Sequence, residues 1–258
     1  MKVLAWLRFG IPDILRRCSN MHLEILVEDK SGGIILAALV NSLLRNYKGE
    51  KWTYSIHPHR GVGKVDFSWN EPPKPHTASL LNLLPAKLRA YRKVLSQPGL
   101  QCVDEILVVV LDADDNSPDE LRSAIRRMGR LFAPEIGLVI GVAVEEWEAW
   151  ALADESALAA AFPDYDRDLY ATYKQDAVCG TWETLARIIM PPHQAQQLIA
   201  VGYPAVGAYK HYWASALAKN LAAENNRSPS FRKFKNDLYQ MMRLIERNNH
   251  WQNGGNIV

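Results

Sequence analysis

From residue 21 onward, apolar runs of strand length alternate with longer stretches whose apolar positions recur at helical spacing. The run "HLEILV" (22–27) predicts a buried strand, ended by "EDKSGG", a turn rich in helix-starting residues. "IILAALVNSLLRNY" carries apolar residues at helical spacing, so the first unit reads strand, loop, helix. "KWTYSI" predicts a second strand, and the Gly- and Pro-rich "HPHRGVGKVDFSWNEPPKPH" a loop. "ASLLNLLPAKLRAYRKVL" predicts a helix with Pro85 as a local disturbance. "EILVVVL" reads as a third strand. "SPDELRSAIRRMGRLF" reads as a helix with Ser117 as N-cap, Pro118 in the first turn and Glu120 three residues after the cap. "IGLVIGVAV" predicts a fourth strand and "EEWEAWALADESALAAAF" one helix after it.

This alternation predicts an α/β fold: a mostly parallel sheet covered by helices on both faces. After "PDYDRDLY" the strand signal ends, and helices are expected near 181–190, 193–200, 208–223 and 230–247, with "NNHWQNGGNIV" as a frayed tail. The expected organisation is an N-terminal appendage (1–20), an α/β domain (21–164) and a helical cap with a basic C-terminal region (165–258).

Composition adds bounds. The chain has 258 residues, 48% of them hydrophobic and 22% charged, which excludes disorder as the main state. A formal net charge of +2 hides a basic end, since residues 205–258 hold eight Lys or Arg against three Asp or Glu. Cys18, Cys102 and Cys179 have no metal-ligand spacing, and a reducing cytoplasmic setting is expected. "MKVLAWLRFGIPDILRRCSN" lacks a small-residue cleavage site, and no apolar window is long enough to span a bilayer, so no membrane partner is expected.

Candidate chemistry centres on "LVVVLDADDN" (107–116), where five apolar residues run straight into Asp112, Ala113, Asp114, Asp115 and Asn116. Carboxylates that close repel one another, and a buried one is costly without a partner, so the pattern calls for a cation. In open parallel sheets ligands bind beyond the carboxyl ends of the strands. Glu28 follows the first predicted strand, Asp112, Asp114 and Asp115 the third, and Glu145, Glu146 and Glu148 the fourth. Hard oxygen ligands suit magnesium, with manganese the alternative, and two such ions can clamp a phosphodiester. An extended backbone would project Asp112 and Asp114 on one side. Against this stand plainer roles: a solvated Glu28, a favourable helix dipole for the 145–148 cluster, and turn formation by Asp115 and Asn116.

A Glu after the first strand with Asp-x-Asp after a later one resembles the TOPRIM fold of topoisomerases, primases and the overcoming-lysogenization-defect nucleases. Within that group "LVEDKSG", "VVLDADDN", "AVEEWEAWALAD" and "RSPSFRKF" resemble a TOPRIM-like bacterial family of unknown function, over residues 21 to about 245. The resemblance implies a magnesium-dependent nuclease acting on DNA or RNA. It also implies antiphage defence alongside an AAA/ABC-type ATPase encoded nearby. By the same resemblance Glu28 is general acid/base or metal ligand, and Asp112 and Asp114 are catalytic metal ligands. Glu146 and Glu148 match the acidic strand-to-helix motif that would support a second ion. Where the family commonly has "VEG", this chain has Glu28, Asp29 and Lys30, an extra charge that bears on metal preference or substrate approach. For the lysine of the nuclease relatives the candidates are Lys64 and Lys210, each with a plain surface lysine as the simpler reading.

"HRGVGK" lacks the phosphate-loop spacing and reads as a basic loop in which Arg60 and Lys64 would touch a nucleic-acid backbone, or as a solvated loop. Arg227, Arg232, Lys233 and Lys235 form a positive cluster beside a helix start expected at Ser230, an anion site if it is not a solvated face. Trp147 and Trp150 read as core, with base stacking the lesser reading. His57, His59 and His76 form no zinc motif. Two further functions are weighed. A haloacid-dehalogenase-like phosphatase needs its Asp-x-Asp on the first core strand. The other is a non-catalytic TOPRIM-like sensor or docking module. The choice of DNA or RNA and the oligomeric state stay open.

Overall fold

The computed structural model describes residues 21–63, 79–95, 105–177 and 180–254. The expected appendage 1–20, Lys64, His76 and the three cysteines lie outside the described residues. Four strands, β1 (Met21–Val27), β2 (Trp52–Pro58), β3 (Glu105–Asp112) and β4 (Gly137–Ala143), form one all-parallel sheet in the order β2-β1-β3-β4. Between the strands run α1 (Lys30–Asn46), α2 (Leu80–Leu95) and α3 (Pro118–Phe132). After β4 come α4 (Glu148–Leu152), α5 (Glu155–Ala161), α6 (Arg167–Thr172), α7 (Thr181–Ile189), α8 (Pro192–Val201), α9 (Ala205–Leu217) and α10 (Pro229–Gly254). The fold is α/β with a helical C-terminal region. No helix among the described residues is long and apolar enough to cross a membrane.

The inner strands are mostly apolar because both of their faces are covered. In β3, Ile106, Val108 and Val110 join a core with α1 and the C-terminal helices, while Leu107, Val109 and Leu111 join a second core with α2 and α3. On this second face Glu24 of β1 faces two histidines and a tyrosine. His57 Nε2 stands 2.8 Å from it, His22 Nε2 3.4 Å, and the Tyr91 hydroxyl donates to it at 2.9 Å. Burial alone would raise the Glu24 carboxyl, but these partners outweigh burial and hold it well below the usual carboxylate range.

Local chemistry accounts for the helix starts. Asp29 is the N-cap of α1, accepting from the Gly32 amide at 2.6 Å, and Ser117 caps α3 by accepting from Glu120. The helix α2 continues through Pro85.

Two expectations are revised. The single helix after β4 is two, because Asp154 caps α5 through the Ala157 amide and also accepts from the Ala222 amide at 2.9 Å. The last helix begins at Pro229 and runs to Gly254, through most of the tail expected to fray. Residues after 165 share the first core with the sheet: Trp182, Leu185, Trp213, Phe231 and Phe234 pack in one cluster with Val110, Val139 and Trp150.

Candidate active site

The chain goes from β1 outward to β2, crosses back to β3 and continues outward to β4. The connections therefore diverge between β1 and β3, and the crevice at their carboxyl ends is the topological switch point. Glu28 and Asp112 leave the sheet there. The Asp112 amide donates to Glu28 Oε2 at 3.0 Å, and both residues line a narrow cleft with Gly32, Trp147 and Trp150. The loop carrying Arg60 is tied to the same place: the Gly61 amide donates to the Glu28 carbonyl and the His59 amide to that of Val27.

Asp114 departs from the alternation expected of an extended chain. The backbone turns after Asp112, closed by the Asn116 amide and side-chain nitrogen on the Ala113 carbonyl, and Asp114 is exposed at φ 45°. Its amide donates to the Glu145 carbonyl at 2.8 Å, and Glu145 is itself left-handed at φ 64°. Two non-glycine residues in this sparsely populated region, side by side at the ends of β3 and β4, mark backbone held against its preference. Asp114 stays within electrostatic reach of Glu28, whose carboxyl it helps to raise.

The acidic run after β4 is divided among other elements. Glu145 does not serve its own helix; it accepts from the Gly180 amide and from the amide and hydroxyl of Thr181, holding the start of α7. Glu146 accepts from the Trp182 amide at 3.2 Å and from Lys210 Nζ at 2.9 Å. Glu148 is fully buried, with Oε1 3.0 Å from Lys210 Nζ and neither oxygen in a hydrogen bond of normal geometry. Lys210 is thus no surface lysine: it is 5% exposed, and its ammonium also donates to the Tyr203 hydroxyl at 3.2 Å. The cation set against Glu146 and Glu148 is this side chain.

Burial is the first cause of every carboxyl shift here. It pushes Glu28 up to about 7, against the Asp112 amide, with the Asp114 and Asp29 charges adding to the rise. Asp112 is raised well above its usual range by burial and by Glu28 and Glu148, and Glu148 by burial and Glu146. Burial also raises Glu146 and Asp114. Lys210 opposes all of these, and its own ammonium is held charged by Glu148 and Glu146 against the cost of burial.

Several carboxylates therefore face the Lys210 ammonium, and the donor set is all hard oxygen. Among the described residues no group of three or more His, Cys, Asp or Glu side chains is placed to hold a metal ion. Magnesium needs no such cage: it binds through one or two carboxylates and completes its shell with waters and substrate oxygens. Glu28 and Asp112, with Asp114 at the rim, fit that requirement.

The basic candidates are dispersed. Arg60 is exposed on the loop beside Glu28. Lys233 pairs with Asp237 at 3.3 Å, Arg232 Nε donates to the Asn226 carbonyl, and Lys235 is half-buried near Glu224. The anion site expected at the start of the last helix is filled from within: Asp176 accepts from the Ser230 amide at 2.6 Å and from the Ser228 hydroxyl, which itself caps Phe231. "RSPSFRKF" is a packing joint, with Trp150 Nε1 donating to Ser230 Oγ at 2.8 Å and Phe234 stacked on Trp150.

Tyr203 and Trp182 carry no motif in the sequence, and Lys210, a candidate for the nuclease lysine with a surface lysine as the simpler reading, is buried instead. A signal for Lys210 was present, since it falls on the apolar stripe Val206, Lys210, Trp213, Leu217 that α9 buries. Comparison with protein-family models, curated proteins and solved structures finds no match for this chain.

Proposed function

We propose that this chain is a magnesium-dependent phosphodiesterase of TOPRIM type, a nuclease whose centre is the Glu28–Asp112 crevice. The observation that carries this reading is that Glu28 and Asp112 meet at the switch point of the sheet, joined by a 3.0 Å hydrogen bond and both raised toward protonation by burial. Glu28 and Asp112, with Asp114, would hold the ion. When bound, magnesium supplies charge for a phosphoryl oxygen and positions a water. Burial holds Glu28 up to about 7 without an ion, so taking up magnesium there would displace its proton near neutral pH. The Asp112 amide fixes which oxygen of Glu28 is engaged, and Trp147 and Trp150 keep that side of the cleft apolar. Lys210 pairs with both Glu146 and Glu148, which leaves Glu28 and Asp112 as the carboxylates open to an added cation. The ATPase partner and the defence role rest on the family resemblance alone, carried by the acidic residues at the ends of β1, β3 and β4.

The test is cleavage of single-stranded and duplex DNA and of RNA by the purified protein, with magnesium and with a chelator. Cleavage is expected only with the ion. Asp112→Asn and Glu28→Gln should each lower the rate at least about a hundredfold while the circular dichroism spectrum is kept. Undiminished cleavage in either variant would move the centre elsewhere. A folded protein that cleaves nothing would leave the docking-module reading.

A further inference from the structure

Tyr203 lies in the turn between α8 and α9, after Gly202 at φ 64°, and is 63% exposed. An exposed tyrosine ordinarily swings freely, but this one is braced twice. Lys210 Nζ stands 3.2 Å from the hydroxyl and 5.9 Å from the ring centre, so it lies beyond the hydroxyl, in line with the ring, and does not itself cover a face. Trp182 meets the ring at 6.4 Å and 68°, an edge-to-face contact. These two braces are the residues that hold Glu146, so the ring is fixed to the carboxylate site and not to a distant surface. Val201 beside it is 67% exposed and widens the apolar rim.

We propose that Tyr203 is a stacking platform for an unpaired base of a single-stranded nucleic acid whose backbone enters the Glu28–Asp112 crevice. The proposal rests on the phosphodiesterase reading and narrows its substrate. A flat, pre-oriented ring gives contact area at little cost in conformational entropy, and base–aromatic stacking is tolerant of sequence. A duplex hides its base faces within the stack, so only an unpaired nucleotide offers a face to this ring.

Binding can be measured by fluorescence anisotropy with calcium in place of magnesium. The probes are a single-stranded oligonucleotide, its duplex, and the same strand with an abasic stretch. The wild type should prefer the single strand. Tyr203→Ala should lose roughly tenfold in affinity for it, with little change for the duplex, while Tyr203→Phe keeps the wild-type preference. The wild type should bind the abasic strand about as weakly as Tyr203→Ala binds the intact one. Equal losses in Tyr203→Phe and Tyr203→Ala, indifference to the abasic stretch, or no binding by the wild type would overturn the platform. The two readings separate cleanly: cleavage in magnesium with an unchanged strand preference in Tyr203→Ala refutes only the platform. Tyr203-dependent binding without cleavage refutes only the phosphodiesterase.

Discussion

Lys210 is buried with Glu146 and Glu148 at 2.9 and 3.0 Å, and removing one partner of such a group leaves the other charges stranded. Lys210→Met should destabilise the protein by about 3–5 kcal/mol at neutral pH. The sign with pH follows from the carboxyls. Their folded affinity for a proton already lies above the unfolded one and rises further without the lysine, so the folded variant binds more protons and loses stability as pH climbs. Urea unfolding at pH 5 and pH 8 should therefore find the larger deficit at pH 8; an equal deficit at both would mean the carboxyls are not charged there. Glu24 gives the opposite slope. Its folded carboxyl is held below the usual range, so its contribution is complete above the unfolded value and is lost as pH falls. Glu24→Gln should cost about 2 kcal/mol at pH 7, and the difference from wild type should shrink by about 1.4 kcal/mol per pH unit below roughly pH 4. A difference unchanged between pH 7 and pH 3 would remove the ion-pair account. At this scale the sequence was read correctly where a residue's role is local, as with Ser117 capping α3. It misled where the partner is remote: Glu145 caps a helix 35 residues away, and no spacing within 145–148 records that.

The strands, α1 and α3 were legible because their information is self-contained: apolar runs of strand length, amphipathic spacing and a capping residue at each helix start. The break after Leu152 was not, since Asp154 ends the pattern by accepting from Ala222, 68 residues on. The turn at Asp114 was hidden for another reason: an Asp-x-Asp pair reads as extended, and only the Asn116 contact to Ala113 and the Glu145 partner reveal the left-handed residue. The basic "RSPSFRKF" was read for its charge, whereas its serines and phenylalanines make the joint to Trp150. Asp176 closes that joint at the start of α10. Asp176→Ala should cost about 1–2 kcal/mol in urea unfolding, and Asp176→Asn distinctly less, because asparagine keeps an acceptor and tolerates the φ of 57° found there. Equal losses would put the carboxylate charge, not the cap geometry, in control.

Over the whole molecule the carboxylates of the crevice stand at the sheet, while Lys210 and Tyr203 come from a helix and the turn before it, more than ninety residues further along the chain than Asp112. The two sets meet because one core runs through both. Phe231, Phe234, Leu238, Met242 and Ile245 of α10 are buried in the cluster that contains Val139 of β4 and Trp150. Each large apolar side chain removed from such a core costs roughly 2–5 kcal/mol, and losing five together exceeds the roughly 5–15 kcal/mol that keeps a domain folded. A chain ending at Ser228 should therefore fail to fold as a whole, with no separately stable sheet domain left behind. Near-ultraviolet circular dichroism and urea titration would record this as the absence of a cooperative transition, whereas the full chain should unfold in one step. A truncated chain that kept a native near-ultraviolet spectrum and a sharp transition would make α10 a detachable addition. The single point variant Phe234→Ala offers the graded form of the same test. It should lower stability by about 3–5 kcal/mol and loosen Trp150, which lines the cleft with Glu28 and Asp112, although Phe234 is not among the cleft-lining residues.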